Sequence, residues 1–167
     1  GAKRAALLAA VLMALFLGLL TVSADMRAFL KRTIAIWTGP NVDIRYEVDG
    51  HKLTELPEGY APHYIPEGFE FDEEFSERFR GSFQYNYENA DGCFIMVTAR
   101  IAENASLTSM DTEHTSFDGE GDAYFGTFEN GDGYAMFWFA DGIEHELYIS
   151  AELSREEVFK IADGISS

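Results

Sequence analysis

Short segments with a hydrophobic period of two, separated by turns, dominate the chain beyond residue 80. These segments are SFQYNYE (82–88), CFIMVTARIA (93–102), DAYFGTFE (122–129), YAMFWFA (134–140) and IEHELYIS (143–150). The turns between them carry Asp-Gly or Asn-Gly, and both pairs tolerate the positive φ that tight hairpin turns require. Since no helical pattern separates the strands, a doubly wound parallel sheet is disfavoured. The spacing therefore predicts a meander of antiparallel hairpins.

Two further patterns complete the predicted domain. Val42, Ile44, Tyr46 and Val48 alternate with polar residues, which predicts an earlier strand with one solvated face. At the other end, Ser154 and Glu157 form a capping box before an apolar helical stripe (Val158, Ile161, Ala162 and Ile165). The predicted fold class is α+β: a curved antiparallel β-sheet with a C-terminal helix packed on one face, preceded by a long N-terminal transmembrane helix.

An uncharged block of apolar residues runs from Ala5 to Ala24. A helix of that length spans ~30 Å, the thickness of the hydrocarbon core of a bilayer. Lys3-Arg4 before the block and Val22-Ser23-Ala24 at its end also fit a cleaved signal peptide. We favour a retained anchor, because the block exceeds the usual signal-peptide core, and assign residues 1–24 to a transmembrane helix.

The segment after the anchor has apolar residues at helical spacing. Met26, Phe29, Leu30, Ile34 and Trp37 form the stripe, and Gly39-Pro40 ends it. We predict an amphipathic helical extension over residues 25–39, followed by an extracytoplasmic domain over residues 40–167. Local counting of basic residues does not settle the orientation, and the acidic domain is more easily placed outside the cytoplasm.

Charge divides the chain unevenly. Its formal net charge is −17, and all but one of its 29 acidic residues follow Arg32. Such an acidic surface repels phosphates, so we expect no nucleic-acid partner. Three interpretations of the acidic surface remain: a cationic partner, bound cations, or solubility alone.

Catalytic and metal-binding patterns are weak. The four histidines stand in a turn, a proline loop, a polar stretch and a strand face, none beside a G-x-S-x-G motif: His51, His63, His114 and His145. We interpret the strand-face His145 as solvated and the single cysteine, Cys93, as a small buried strand residue. Residues 118–122 (DGEGD) resemble a calcium loop, but their surroundings predict a loop between strands. We predict no catalytic residue, no metal site and no cofactor.

A proline-rich loop beside aromatic residues is the best candidate for ligand contact. Residues 56–68 hold three prolines and two glycines, which exclude a helix or a central strand. Six aromatic residues cluster beside this loop, and core packing is expected for half of them: Tyr60, Tyr64, Phe69, Phe71, Phe75 and Phe79. Tyr60, Tyr64 and Phe69 are our candidate ligand-binding residues, because Tyr and Pro at a sheet edge suit peptide or glycan contact. The acidic run at 72–77 is interpreted as a solvated face.

Three parts of the chain together resemble a known family. They are YIPEGF (64–69), the strand pair around Trp138, and LYISAELSREEVFKIADGIS (147–166). Over roughly residues 55–167 the chain resembles domain of unknown function 4367. The resemblance implies an extracytoplasmic domain of Firmicutes, often downstream of one membrane helix in anti-sigma-factor-like proteins. The family has no assigned activity, so the resemblance implies no site residues.

These observations leave two functional hypotheses. The first is a non-catalytic sensory, regulatory or ligand-binding domain of a single-pass protein of the cell membrane. Its anchor would be residues 5–24, and its partner an envelope peptide, glycan or protein. The alternative is a secreted or anchored hydrolase of the cell envelope. A sigma-binding domain encoded upstream of Gly1 would favour the first hypothesis, and activity lost on changing one histidine would favour the second.

Overall fold

Antiparallel β-sheet makes up most of the fold. The computed structural model describes residues 29–38, 41–49, 53–102, 105–110, 112–116, 122–128 and 132–167. The described strands are β1 (Phe29–Thr38), β2 (Asn41–Asp49), β3 (Ala61–Pro62), β4 (Phe69–Arg78), β5 (Ser82–Asn89), β6 (Phe94–Ile101), β7 (Ala105–Met110), β8 (Thr112–Ser116), β9 (Asp122–Thr127), β10 (Tyr134–Ala140), β11 (Ile143–Ile149) and β12 (Ile165–Ser166). The described helix is α1 (Arg155–Asp163). The predicted antiparallel sheet and C-terminal helix are confirmed.

The main sheet has seven strands in the order β4-β5-β6-β11-β10-β9-β8. Three of its hairpins (β5-β6, β9-β10 and β10-β11) join the segments that the sequence predicts as neighbours. The pairing of β6 with β11 is long-range and aligns Ile143 with Ile101 and Ile149 with Ile95. This pairing merges two separate meanders into one sheet.

The turn between β10 and β11 has the backbone geometry that its sequence predicts. Ala140 pairs with Ile143, so Asp141 and Gly142 alone form the connection. Both have positive φ, 51° at Asp141 and 78° at Gly142. Positive φ at both central positions is typical of the hairpin turn whose twist matches the flanking strands.

A second sheet has three strands in the order β1-β2-β7. Its first strand, β1, spans Phe29–Thr38. The helical extension predicted over residues 25–39 is therefore wrong for residues 29–38. The β-branched residues Thr33, Ile34 and Ile36 favour extended backbone, and antiparallel pairing with β2 satisfies its hydrogen bonds. Tertiary pairing here overrides a helical spacing that the sequence also permits.

The C-terminal helix packs on one face of the main sheet. The Ser154 hydroxyl accepts a hydrogen bond from the Glu157 backbone N–H, and the Glu157 carboxylate accepts one from the Ser154 N–H, which completes the predicted capping box. Val158 and Ile161 are fully buried and belong to the same core cluster as Leu147 of β11. The packing confirms the predicted apolar stripe.

The proline-rich loop covers the neighbouring part of that face. Leu56 is buried in the core cluster, and its backbone N–H donates to the Arg80 carbonyl at 2.9 Å. The two-residue strand β3 pairs with β12, so Ile165 opposes Pro62. His63 adds a bond from its Nε2 to the Ser166 carbonyl, 2.9 Å away. The loop is therefore connected to the turn between β4 and β5 and to the C-terminal strand β12.

The predicted transmembrane helix at residues 1–24 lies outside the described residues. Within the described ranges, no helix combines the length and hydrophobicity needed to cross a bilayer.

We expect Val158→Asp to lower the free energy of unfolding by about 3 kcal/mol or more, because it buries an unpaired charge under α1. Chemical denaturation would measure this. Glu156→Asp is the matched control, since it places Asp at a side chain that is 81% exposed on the same helix. Equal stability of the two variants would contradict the observed packing.

Candidate functional site

The edge strand β4 exposes large apolar side chains. Phe71 is 51% exposed, Phe75 66% and Phe79, just after the strand, 59%. Large exposed apolar groups are candidates for contact with another molecule. The Phe71 ring makes edge-on contacts with Tyr85 and Tyr87, at centroid distances of 5.4 and 5.5 Å. These contacts with Tyr85 and Tyr87 hold the Phe71 ring in place, while about half of its surface faces solvent.

A bulge in β4 projects Phe75 from the strand. Pairing with β5 shifts between Asp72, opposite Asn86, and Glu77, opposite Gln84. Asp72 Oδ1 accepts bonds from the backbone N–H groups of Glu74 and Phe75, at 3.0 and 3.3 Å. The side chain of Asn86 donates to the Phe75 carbonyl. These bonds fix the bulge, so the exposed ring lies on an ordered backbone.

Acidic groups line the same strand. The side chains of Glu70, Glu73, Glu74 and Glu77 are exposed. This confirms the predicted solvated face for Glu73, Glu74 and Glu77, whereas Asp72 is half-buried and bonds the backbone of the bulge. Unlike Arg80, which pairs with Glu55 at 3.1 Å, these glutamates make no ion pair within the described residues. The surface combines aromatic rings with unneutralised negative charge.

Arg78 connects β4 to the proline-rich loop. Its Nη1 donates to the Tyr60 carbonyl at 2.8 Å and to the Tyr85 hydroxyl at 3.3 Å. Its guanidinium also lies 5.7 Å from the centre of the Phe83 ring. Arg78 therefore links the loop to the face of the sheet on which Phe71 lies.

A buried histidine lies on the helix side of the main sheet. His145 is 1% exposed, which corrects the prediction of a solvated strand residue. Its ring stacks on Trp138, with centroids 4.7 Å apart and planes 5° from parallel. Its Nε2 lies 2.7 Å from the Tyr60 hydroxyl. The physical reason is that His145 is in phase with the core residues Ile143 and Leu147.

The electrostatics of this cluster suit a structural role. Burial lowers the pKa of His145 to about 3, partly opposed by a hydrogen bond with the Trp138 backbone. Burial also raises the pKa of Tyr60 to about 12, with Asp141 adding to the rise. Both groups are therefore neutral near pH 7. A general base works best with a pKa near the operating pH, and His145 is far below that range.

A second polar cluster lies on the opposite face. The Arg100 guanidinium contacts the carboxylates of Glu144 and Glu146, the latter at 2.7 Å. Glu144 is 1% exposed. Burial raises its pKa from 4.5 to about 8, and Glu146 adds to the rise through charge repulsion and a hydrogen bond. Burial therefore favours the protonated form of Glu144 near pH 7.

The predicted ligand-binding residues occupy different environments. Tyr60 is half-buried and bonded to His145, and Phe69 is half-buried against the core at the start of β4. Tyr64 is 37% exposed and lies beside Gly164 at the end of α1. The structure thus separates Tyr64 from the exposed phenylalanines of β4. The sequence places Phe71, Phe75 and Phe79 in the same aromatic cluster, but it does not show which members of the cluster are exposed.

The remaining predicted sites divide by location. The calcium-like loop at 118–121 lies outside the described residues, and Asp122 begins β9. Among the described side chains, no group of three or more His, Cys, Asp or Glu is arranged to hold a metal ion. Cys93 is half-buried and precedes β6, and its N–H donates to Asn89 Oδ1 at 2.9 Å. It is therefore a turn residue rather than the predicted buried strand residue.

Comparison with known proteins gives one match. A family model described as "Domain of unknown function (DUF4367)" matches residues 59–165, more than half of the chain. This confirms the resemblance that YIPEGF and the C-terminal strand and helix indicate. No curated protein and no solved structure matches the chain.

We expect Glu144→Gln to change how stability depends on pH. A carboxyl whose pKa rises on folding binds its proton more tightly in the folded state, so its contribution to stability falls as pH rises from 4.5 to about 8. Glutamine has no carboxyl to titrate, so the Glu144→Gln variant does not lose stability in this way as pH rises. Relative to the parent chain, it should gain about 2 kcal/mol between pH 4.5 and 8.5, a value reduced for solvent screening.

Urea denaturation of both chains at several pH values would measure the difference. Glu156→Gln, at an exposed position, is the control and should show little change with pH. A difference between Glu144→Gln and the parent that stays constant over this range would contradict a raised pKa at Glu144.

Proposed function

This chain belongs to the family of domain of unknown function 4367, and we propose that it is a non-catalytic, extracytoplasmic ligand-binding domain with a sensory or regulatory role. Its ligand is an envelope peptide, glycan or protein, and residues 5–24 anchor it to the cell membrane. A link to anti-sigma-factor signalling is part of the same proposal.

The observation that carries the proposal is the exposure of three phenylalanines along the edge strand β4. Phe71, Phe75 and Phe79 present more than half of their surface to solvent. Aromatic side chains on ordered backbone contribute strongly to binding, because little conformational entropy is lost when a ligand covers them. A surface of this kind supports recognition of another molecule.

The surroundings of His145 support a structural role for this histidine. His145 is enclosed by Tyr60 and Trp138, and its low pKa reflects that burial. A substrate would have to displace this packing to reach the ring. The cluster therefore stabilises the face on which the proline-rich loop rests.

Binding can be tested with three defined probes: an alternating Lys-Val peptide, its Glu-Val counterpart, and a disaccharide-peptide fragment of peptidoglycan. We expect saturable binding of at least one probe by calorimetry, with the chain in non-ionic detergent. Replacing Phe75 and Phe79 with Ser should weaken that binding about tenfold, since exposed aromatic contacts contribute ~1–3 kcal/mol.

Phe94→Ser is the matched control, because Phe94 is 39% exposed on a different strand. Failure of all three probes to bind would overturn the proposal. Turnover of a probe, abolished by changing one His or Asp residue, would favour the envelope hydrolase instead.

The proposed location has its own test. With Cys93 replaced by Ser, Ser167→Cys places the chain's only thiol at an exposed position. In intact cells this thiol should react with a membrane-impermeant maleimide. Labelling only after lysis would place the domain in the cytoplasm and reject an extracytoplasmic role.

A further inference from the structure

The two faces of the β4-β5 hairpin differ in charge. Phe71 pairs with Tyr87 and Arg78 with Phe83, and because Tyr87 and Phe83 share one face of β5, all four side chains lie on that face. The acidic residues at paired positions lie on the opposite face: Glu70, Asp72, Glu77 and Glu88. Among the described pairs of this hairpin, Arg78 is therefore the only charged residue on the face that bears Phe71.

The guanidinium of Arg78 is held in place and keeps donors free. Both of its hydrogen bonds use Nη1, to the Tyr60 carbonyl and the Tyr85 hydroxyl. Within the described part of the chain it makes no ion pair, and neither Nη2 nor Nε donates to another group. A planar guanidinium presents paired N–H groups that match the two oxygens of a carboxylate. Because Arg78 is already ordered, binding such a group costs little conformational entropy.

Phe71 and Arg78 flank the same tyrosine. The Phe71 ring lies 5.4 Å from the Tyr85 ring, and Arg78 Nη1 lies 3.3 Å from the Tyr85 hydroxyl. Phe71 is 51% exposed. Tyr87, whose ring is 5.5 Å from that of Phe71, is half-buried, and its hydroxyl makes no hydrogen bond within the described ranges. An exposed apolar ring, an unbonded hydroxyl and a cation thus adjoin one another.

These three groups together select a class of ligand. A hexuronic acid, which is a sugar with a carboxylate on its ring, offers a C–H face to Phe71, hydroxyls to Tyr87 and a carboxylate to Arg78. A neutral sugar would leave the guanidinium unpaired, and a fatty acid would leave the Tyr87 hydroxyl unpaired. In peptidoglycan the sugar carboxyl is linked to the stem peptide as an amide and carries no charge.

We propose that this face of the β4-β5 hairpin binds an oligosaccharide that contains a hexuronic acid. The carboxylate pairs with Arg78, a sugar ring stacks on Phe71, and a sugar hydroxyl bonds to Tyr87. This inference rests on the proposed binding function and specifies the ligand for the part of β4 that bears Phe71.

The test compares two disaccharides that differ only in charge. Cellobiouronic acid has a carboxylate where cellobiose has a neutral hydroxymethyl group. Calorimetry of the whole chain in non-ionic detergent would measure both affinities. We expect saturable binding of cellobiouronic acid, and binding of cellobiose that is weaker by about tenfold or more, because only the uronate forms a charge-assisted bond with Arg78.

Arg78→Gln should weaken the binding of cellobiouronic acid about tenfold and change that of cellobiose little, because it removes only the partner of the carboxylate. Arg80→Gln is the matched control. It removes the same charge from a side chain that is 74% exposed and pairs with Glu55, and it should keep the preference for the uronate. If Arg78→Gln does not fold, Arg78→Lys replaces it and should reduce the preference, since lysine lacks the planar fork.

Phe71→Ser should weaken the binding of both disaccharides by a similar factor, because it removes a stacking surface and no charge. Phe94→Ser is its control, at a phenylalanine that is 39% exposed on another strand. Thermal melting of every variant separates lost binding from lost folding.

A preference for cellobiouronic acid that Arg78→Gln abolishes and Arg80→Gln keeps would support the inference. Equal binding of the two disaccharides, or a preference that Arg78→Gln leaves unchanged, would overturn it. Tighter binding of the Glu-Val peptide that depends on Arg78 would also overturn it, in favour of an acidic peptide. If another probe binds and cellobiouronic acid does not, this inference fails while the proposed binding function stands.

Discussion

The pairing of β6 with β11 is the constraint on which the rest of this fold depends. It joins residues 42 to 54 positions apart, from Ile143 opposite Ile101 to Ile149 opposite Ile95. On one face it creates the apolar floor on which α1 and the proline-rich loop pack. On the other face it places Arg100 directly opposite Glu144. It also leaves β4 at the end of the sheet, since β5 takes the remaining side of β6.

Local chemistry explains what the sequence predicted well. The Asp141-Gly142 turn and the capping box at Ser154 depend on neighbouring residues alone, and the structure has both. Strand order depends on contacts between distant residues, which no short pattern encodes. The same difference explains the error at β1, where helical spacing gave way to pairing with β2. The exposure of the phenylalanines was not predicted, because exposure depends on which strand lies at the edge.

Two adjacent residues of β11 place buried polar groups on opposite faces of the main sheet. His145 points into the core, and Glu144 lies on the other face beside Arg100. Both are almost fully buried, and burial drives both toward their neutral forms. The Tyr60 hydroxyl lies 2.7 Å from His145 Nε2, and the Arg100 guanidinium contacts the Glu144 carboxylate.

These opposed shifts also compensate for each other when the surroundings turn acidic. Between pH 4.5 and 6.5 the unfolded chain gains a proton at His145 that the folded chain excludes, which weakens folding as pH falls. Over the same interval Glu144 is mostly ionised in the unfolded chain and mostly protonated in the folded chain. The folded chain therefore binds more protons at this residue, which strengthens folding as pH falls. The two slopes have opposite sign, so each offsets part of the other across mild acidity.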